Sequence, residues 1–141
     1  MRFLSRLVDA ESRAHQMRSP VSYESVANIE SKAVPGVTFA IHRMSFGRRM
    51  ELSRRIREIS RKAEFFAAGD QLQEKIGANI LAQEIDAMYM HWGLVSIDGL
   101  VIDGETATAA HLLEKGPEEL MQEIVSAIKE QCGLGEAERK N

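Results

Sequence analysis

Residues 35–69 read PGVTFAIHRMSFGRRMELSRRIREISRKAEFFAAG, and this stretch decides the fold because a strand leads directly into a long helix. Val37, Phe39 and Ile41 alternate with smaller or more polar residues, and this two-residue period is typical of a half-buried β-strand. We therefore predict a strand over residues 36–43.

A long helix is predicted over residues 46–68, directly after this strand. Ser45 is the candidate N-cap, and Gly69 is the candidate residue just past the C-terminus. Apolar residues recur at three- and four-residue steps, so we expect one side of the helix to face a core. This expected core face consists of Phe46, Met50, Ile56, Ile59, Ala63 and Phe66.

The same helix has the densest positive charge of the protein, with seven of its 18 Lys and Arg residues. Eight Lys or Arg residues and two acids lie between His42 and Lys62, whereas residues 70–141 hold fourteen Asp or Glu and five Lys or Arg. A charge separation of this kind favours pairing between copies of the chain or docking to a partner of opposite charge, although a solvated helix face is the simplest interpretation. The candidate partner-binding arginines are Arg48, Arg49, Arg54, Arg55, Arg57 and Arg61.

Nucleic acid is the alternative partner for this basic helix, because closely spaced arginines neutralise phosphates. The sequence pI near 5.8 argues against it. So does the lack of aromatic residues between the arginines, since proteins that bind single strands usually stack bases on aromatic rings.

A second helix is predicted from Asp70, as its cap, to Gly93, as its end. Trp92 and Met88 lie near its C-terminus, where a large aromatic residue either completes the core or anchors a partner. We include both residues among the candidate partner-binding residues. The predicted apolar face of this helix consists of Leu72, Ile76, Ile80, Ile85, Met88 and Trp92.

Residues 94–103 are predicted to form a β-hairpin with Asp98-Gly99 as its turn, followed by a second Asp-Gly turn at 103–104. Together with the strand at 36–43, this hairpin would make one antiparallel sheet.

Two further helices are predicted after these turns. Thr108 would cap a short helix that Gly116 ends, and Pro117 would be the first residue of the last helix. Cys132 falls on the apolar stripe of that helix, which indicates a buried thiol.

The predicted fold is therefore α+β and mainly helical, with the helices packed on a small antiparallel β element in a single domain. Residues 1–33 lack a strong period and are predicted to be a flexible N-terminal arm, and residues 34–141 form the domain. A single cysteine excludes an internal disulfide, and no apolar run is long enough for a signal peptide or a membrane span.

No catalytic, cofactor or metal motif is present, so we expect a protein that is not an enzyme and needs no cofactor. The four histidines lack the spacing of a metal site, and there is no glycine-rich phosphate loop.

Three stretches resemble the tail assembly chaperones of long-tailed bacteriophages and prophages. They are VPGVTFAIHRMSFGRRMEL, EIDAMYMHWGLVSIDGLVIDGETAT and KEQCGLGEAERKN, which together span roughly residues 34–141.

The resemblance implies a non-catalytic helper in the bacterial host cytoplasm, absent from the mature virion, that binds the tail tape measure protein and assists polymerisation of tail tube protein around it. It also implies contacts with other copies of itself or with a longer, frameshifted form. From the composition we expect no membrane partner, and nucleic acid is the less favoured alternative.

Overall fold

The computed structural model describes residues 19–66 and 71–133, with side chains for 19–62 and 75–133. Within these residues the chain forms five strands and four helices, and the predicted α+β, mainly helical fold is confirmed. The strands are β1 (Val26–Glu30), β2 (Thr38–His42), β3 (Leu94–Asp98), β4 (Val101–Ile102) and β5 (Glu105–Thr106). The helices are α1 (Phe46–Phe66), α2 (Gln71–Gly93), α3 (Ala109–Lys115) and α4 (Glu118–Gln131).

The main sheet has three antiparallel strands in the order β1-β2-β3. The predicted strand at 36–43 becomes the central strand β2, and its Phe39 and Ile41 are almost fully buried. Ile29 of β1 and Ile97 of β3 both lie opposite Phe39, so an apolar row crosses the sheet. Helix α4 packs against β2 and completes the core.

The predicted hairpin over residues 94–103 is wrong in its pairing. Its first half, β3, pairs with β2, and its second half, β4, pairs with β5 in a separate two-stranded ribbon. Asp103 and Gly104 connect β4 to β5 with φ angles of 51° and 82°, as a two-residue hairpin turn requires. The second Asp-Gly pair is the hairpin turn, whereas at the first pair β3 ends at Asp98 and the chain only bends at Gly99, because β3 pairs with β2.

Strand β1 corrects the predicted boundary of the domain. Residues 26–30 lie inside the segment predicted to be a flexible arm, yet they form an edge strand of the main sheet. Its pattern was missed because only Val26, Ala27 and Ile29 are even partly buried, so a two-residue period is weak. Of the rest of the predicted arm, residues 1–18 lie outside the described residues.

The predicted helix caps are largely confirmed. Ser45 accepts a hydrogen bond at its side-chain Oγ from the Arg48 amide, at 3.3 Å. Thr108 caps α3 in the same way, accepting from the His111 amide at 3.2 Å. Pro117 is the N-cap of α4 rather than its first helical residue. Gly69 and Asp70 lie outside the described residues.

The predicted core faces of the two long helices are only partly correct. Phe46 is 82% exposed and Met50 is 50% exposed, whereas Leu52, which the prediction omitted, is buried. Ile76 and Ile80 of α2 are also exposed. The prediction failed because α1 packs mainly against α2, so each helix has one covered side, while the sequence supplies apolar residues on more than one side. No helix in the described part of the chain is long and apolar enough to cross a membrane.

Candidate functional site: the outer face of helix α1

Helix α1 turns a continuous stripe of side chains away from the core. Residues four, four, three and four apart lie on one side of an α-helix, and all members of this stripe are exposed. We call it the outer stripe, and it consists of Phe46, Met50, Arg54, Arg57 and Arg61. It runs about 22 Å along the helix, with apolar side chains at the N-terminal end and guanidinium groups over the rest.

The three arginines of the outer stripe make no ion pair with another described side chain. Between described side chains, the ion pairs made by α1 are those of Arg55 with Glu51, at 2.9 Å, and of Lys62 with Glu84 of α2, at 3.7 Å. The charges of the outer stripe are thus available to an external partner. Because unpaired guanidinium groups are costly to bury, that partner has to supply acids or remain hydrated.

Arg48 is one of the predicted partner-binding arginines, but its side chain contacts Trp92 within the protein. Its guanidinium donates a hydrogen bond to the main-chain carbonyl of Trp92 and lies over the indole ring, 4.5 Å from the ring centre. A cation at the C-terminal end of α2 also suits the partial negative charge there. The pKa of His42 is lowered, mainly by burial and further by the positive charge of Arg48.

Arg49 is exposed but lies toward the body of the protein. Burial raises the pKa of the Cys132 thiol, and the positive charges of Arg49 and Arg48 oppose that rise. Arg49 is therefore near the C-terminus of α4 rather than on the outer stripe. Cys132 itself is buried, as its place on the apolar stripe of α4 predicted.

Met88 and Trp92 lie in the core. Trp92 is 6% exposed, and its ring meets Tyr89 edge-on with 6.4 Å between ring centres. Of the two roles considered for Trp92, the structure favours the core, and neither residue contributes a side chain to the protein surface at this site.

The described residues contain no cluster of three or more His, Cys, Asp or Glu side chains that could hold a metal ion. His111 contacts Glu105 at 3.3 Å, and both lie on or beside the β4-β5 ribbon, away from α1.

A second surface feature was missed by the sequence analysis. A groove of about 330 Å³ lies between α2, α3 and α4, with Leu112, Leu113 and Met121 as its apolar lining. Its lining also contains the acids Glu118 and Asp86, and Asp86 is paired with Lys129 at 3.1 Å. The acids are visible in the sequence, but the groove depends on how three helices pack, which no local pattern reports.

Searches of protein-family models, of curated proteins and of solved structures found no match to this chain.

Proposed function

We propose that the protein is a non-catalytic assembly chaperone of the kind found in long-tailed bacteriophages, and that it binds the tail tape measure protein during tail assembly. The observation that supports this proposal is the outer stripe, which joins exposed apolar side chains to arginines that form no ion pair with a described side chain. The proposal also draws on the resemblance of residues 34–141 to that family.

The apolar end of the outer stripe suits a helical client. A long helical protein exposes apolar stripes before it is assembled, and these stripes aggregate unless another surface covers them. Met50 has a flexible thioether side chain that repacks against different neighbours, and Phe46 offers a large apolar area beside it. A surface of this kind covers a client helix without demanding one exact shape.

The arginine end of the outer stripe supplies orientation and release. Exposed charges attract an acidic patch and fix its register, yet their contribution weakens as salt screens them. An assembly chaperone has to release its client when the tail tube forms. A contact whose binding free energy is largely electrostatic suits this role, because it is readily reversible.

The test is co-purification of the tape measure protein with Arg54→Glu/Arg57→Glu. We expect this variant to fold normally, because exposed charge changes usually alter stability by only about 0.5 kcal/mol, and to lose most of the client. The matched control is Arg43→Glu/Lys75→Glu, which makes the same change in net charge at exposed residues outside the outer stripe. If the control loses the client equally, the outer stripe is not the client surface.

A small nucleic-acid-binding regulator remains the competing proposal, because Arg54, Arg57 and Arg61 are as available to phosphates as to carboxylates. The two proposals differ in a gel shift with duplex DNA at physiological salt. We expect no retardation by the wild-type protein. Retardation that Arg54→Glu/Arg57→Glu abolishes, while the same variant still holds the tape measure protein, would decide for the regulator.

A further inference from the structure

We propose that residues 3–11 form an amphipathic helix that lies along the outer stripe of the same chain and covers its exposed apolar end. Residues 3–11 belong to the segment that precedes the described residues, and the apolar end consists of Phe46 and Met50. The contact concerns the protein alone. Only its consequence, that a client has to displace this helix, rests on the proposed function.

The sequence of residues 3–11 predicts a helix with one apolar side. Side chains three and four residues apart are neighbours on an α-helix, so positions 3, 4, 7, 8 and 11 share a side. The arginines at positions 2, 6 and 13 fall on the opposite side. We call the shared side the strap face, and it consists of Phe3, Leu4, Leu7, Val8 and Glu11. A helix this short is marginal in water on its own, so it needs a surface to pack against.

The strap face and the outer stripe match in the order and spacing of their side chains. Each has two apolar residues and then a charged one, at steps of four residues. On the strap face these are Phe3, Leu7 and Glu11, and on the outer stripe they are Phe46, Met50 and Arg54. Both sets span about 12 Å of helix. Two parallel helices therefore bring Glu11 to Arg54 when Phe3 lies beside Phe46. Apolar burial then gives affinity, and the opposite charges select the orientation.

The chain enters the described structure close to the start of α1. The Arg43 amide donates a hydrogen bond to the Ser25 carbonyl at 2.8 Å, so residue 25 lies beside the residues that lead into α1. Residues 12–24 link Glu11 to Ser25 and reach about 43 Å when extended, whereas Arg43 and Arg54 are no more than about 22 Å apart. The link is thus long enough. Such a tether gives an effective concentration on the order of millimolar, so a contact that is weak between separate molecules forms within one.

Exposed apolar side chains concentrate at this entry point. Among the large hydrophobic residues that the structure describes, the most exposed are Val21, Phe46 and Tyr23, with Val21 at 96% and Tyr23 at 70%. All three lie within four residues of the hydrogen bond between Arg43 and Ser25. Apolar side chains gathered in this way mark a surface that another segment covers, and the strap face is joined to it by the chain itself.

The experiment measures paramagnetic broadening of amide NMR signals in the full chain. A nitroxide is attached to Ser53→Cys, an exposed position of α1, while the native Cys132 is buried. We expect the signals of residues 3–11 to lose most of their intensity. Glu11→Lys should recover most of that intensity. The matched control is Asp9→Lys, which makes the same change in charge on the opposite side of the predicted helix and should leave the broadening unchanged.

A charge swap and a mixing experiment complete the test. Adding Arg54→Glu/Arg57→Glu to Glu11→Lys should bring the broadening back, because the charges are again opposite. Signals of residues 3–11 that the nitroxide leaves unchanged, or an equal effect of Glu11→Lys and Asp9→Lys, would overturn the proposal. So would broadening of equal size when the nitroxide and the isotope label are on different molecules, since the occupant would then be a second copy.

The helix contact and the client surface are tested separately. Phe3→Ser/Leu7→Ser removes apolar side chains from the strap face, so it should abolish the broadening and increase the amount of tape measure protein that co-purifies. Loss of the broadening without that increase would support the helix contact and count against the outer stripe as the client surface. Broadening that persists in this variant would overturn the helix contact and leave the proposed function untouched.

Discussion

The guanidinium of Arg48 lies over the ring of Trp92 and donates a hydrogen bond to the main-chain carbonyl of the same residue. This pair ties the first turn of α1 to the last turn of α2, so the start of one helix and the end of the other are held together. Arg48 was predicted to bind a partner, yet its contacts make it a structural residue. Its Nε and the Trp92 Nε1 are buried and have no hydrogen-bond partner among the described residues.

We predict that Arg48→Ala lowers the free energy of unfolding by about 2 kcal/mol, since it removes a cation–π contact and a charge-assisted hydrogen bond. Arg48→Lys should recover part of that loss, because it keeps the charge without the planar fork. Urea denaturation measures both. Arg57→Ala, on the outer stripe, is the control and should stay within about 0.5 kcal/mol of wild type.

Gly99 and Gly104 have nearly the same backbone angle, with φ of 83° and 82°, but different surroundings. A Cβ at Gly99 would lie 2.5 Å from the carbonyl oxygen of Gly36, whereas one at Gly104 would meet nothing within 4 Å. Gly104→Ala should therefore destabilise by about 1–2 kcal/mol from the left-handed backbone alone.

Gly99→Ala should cost more than Gly104→Ala by another 1–3 kcal/mol or so, because a backbone atom has to move. Thermal melting of the two variants measures the difference directly. Equal melting temperatures would mean that the approach of Gly99 to Gly36 is not tight.

Glu123 of α4 binds the loop between β1 and β2. Its carboxylate accepts hydrogen bonds from Ser31 Oγ at 2.5 Å, from the Lys32 amide at 2.7 Å and from the Ala33 amide at 3.3 Å. Burial on its own raises the pKa of Glu123, but these hydrogen bonds, with the charge of Lys32, outweigh it and the pKa is lowered.

Because the folded pKa of Glu123 is depressed, its stabilisation is present above the unfolded value of 4.5 and is lost as pH falls through the lower folded pKa. We predict that Glu123→Gln destabilises the protein at pH 7 but has a much smaller effect near pH 3. Chemical denaturation at the two pH values tests this. The pKa of His42 is also lowered, so its effect on stability appears as pH falls below 6.5, which is higher than for Glu123. The two groups can therefore be distinguished by the pH at which stability changes.

The fourth prediction is that neither metal ions nor ATP changes the thermal stability of the protein. The described residues hold no candidate metal cluster, and the sequence has no phosphate-binding loop. We expect the melting temperature to be unchanged by EDTA, zinc or ATP. A rise of several degrees with zinc or ATP, or a fall with EDTA, would show that the folded protein binds a ligand.

The sequence predicted those elements whose signals are local. Strand β2, the caps at Ser45 and Thr108 and the buried stripe of α4 each follow from residues within a few positions of one another. The fold class could be predicted because these elements are enough to define it.

The pairing of strands and the orientation of helices could not be predicted in this way. Whether Leu94–Asp98 pairs with Val101–Ile102 or with β2 depends on residues more than 50 positions away, and no turn signal decides it. The candidate site shows the same limit. The arginines were identified, but only packing distinguishes Arg48, which contacts Trp92, from Arg54, which faces outward.

The central position of β2 has a consequence for the protein during its own synthesis. Strand β2 meets α4 in the core, and Glu123 fixes the loop beside it, yet roughly 80 residues separate the two elements. At translation rates of 5–20 residues per second, β2 emerges roughly 4–16 s before α4 is complete. Helices α1 and α2 adjoin in sequence and can pair earlier. The nascent chain thus exposes an uncovered apolar sheet for seconds, the same hazard that this protein is proposed to prevent in its client.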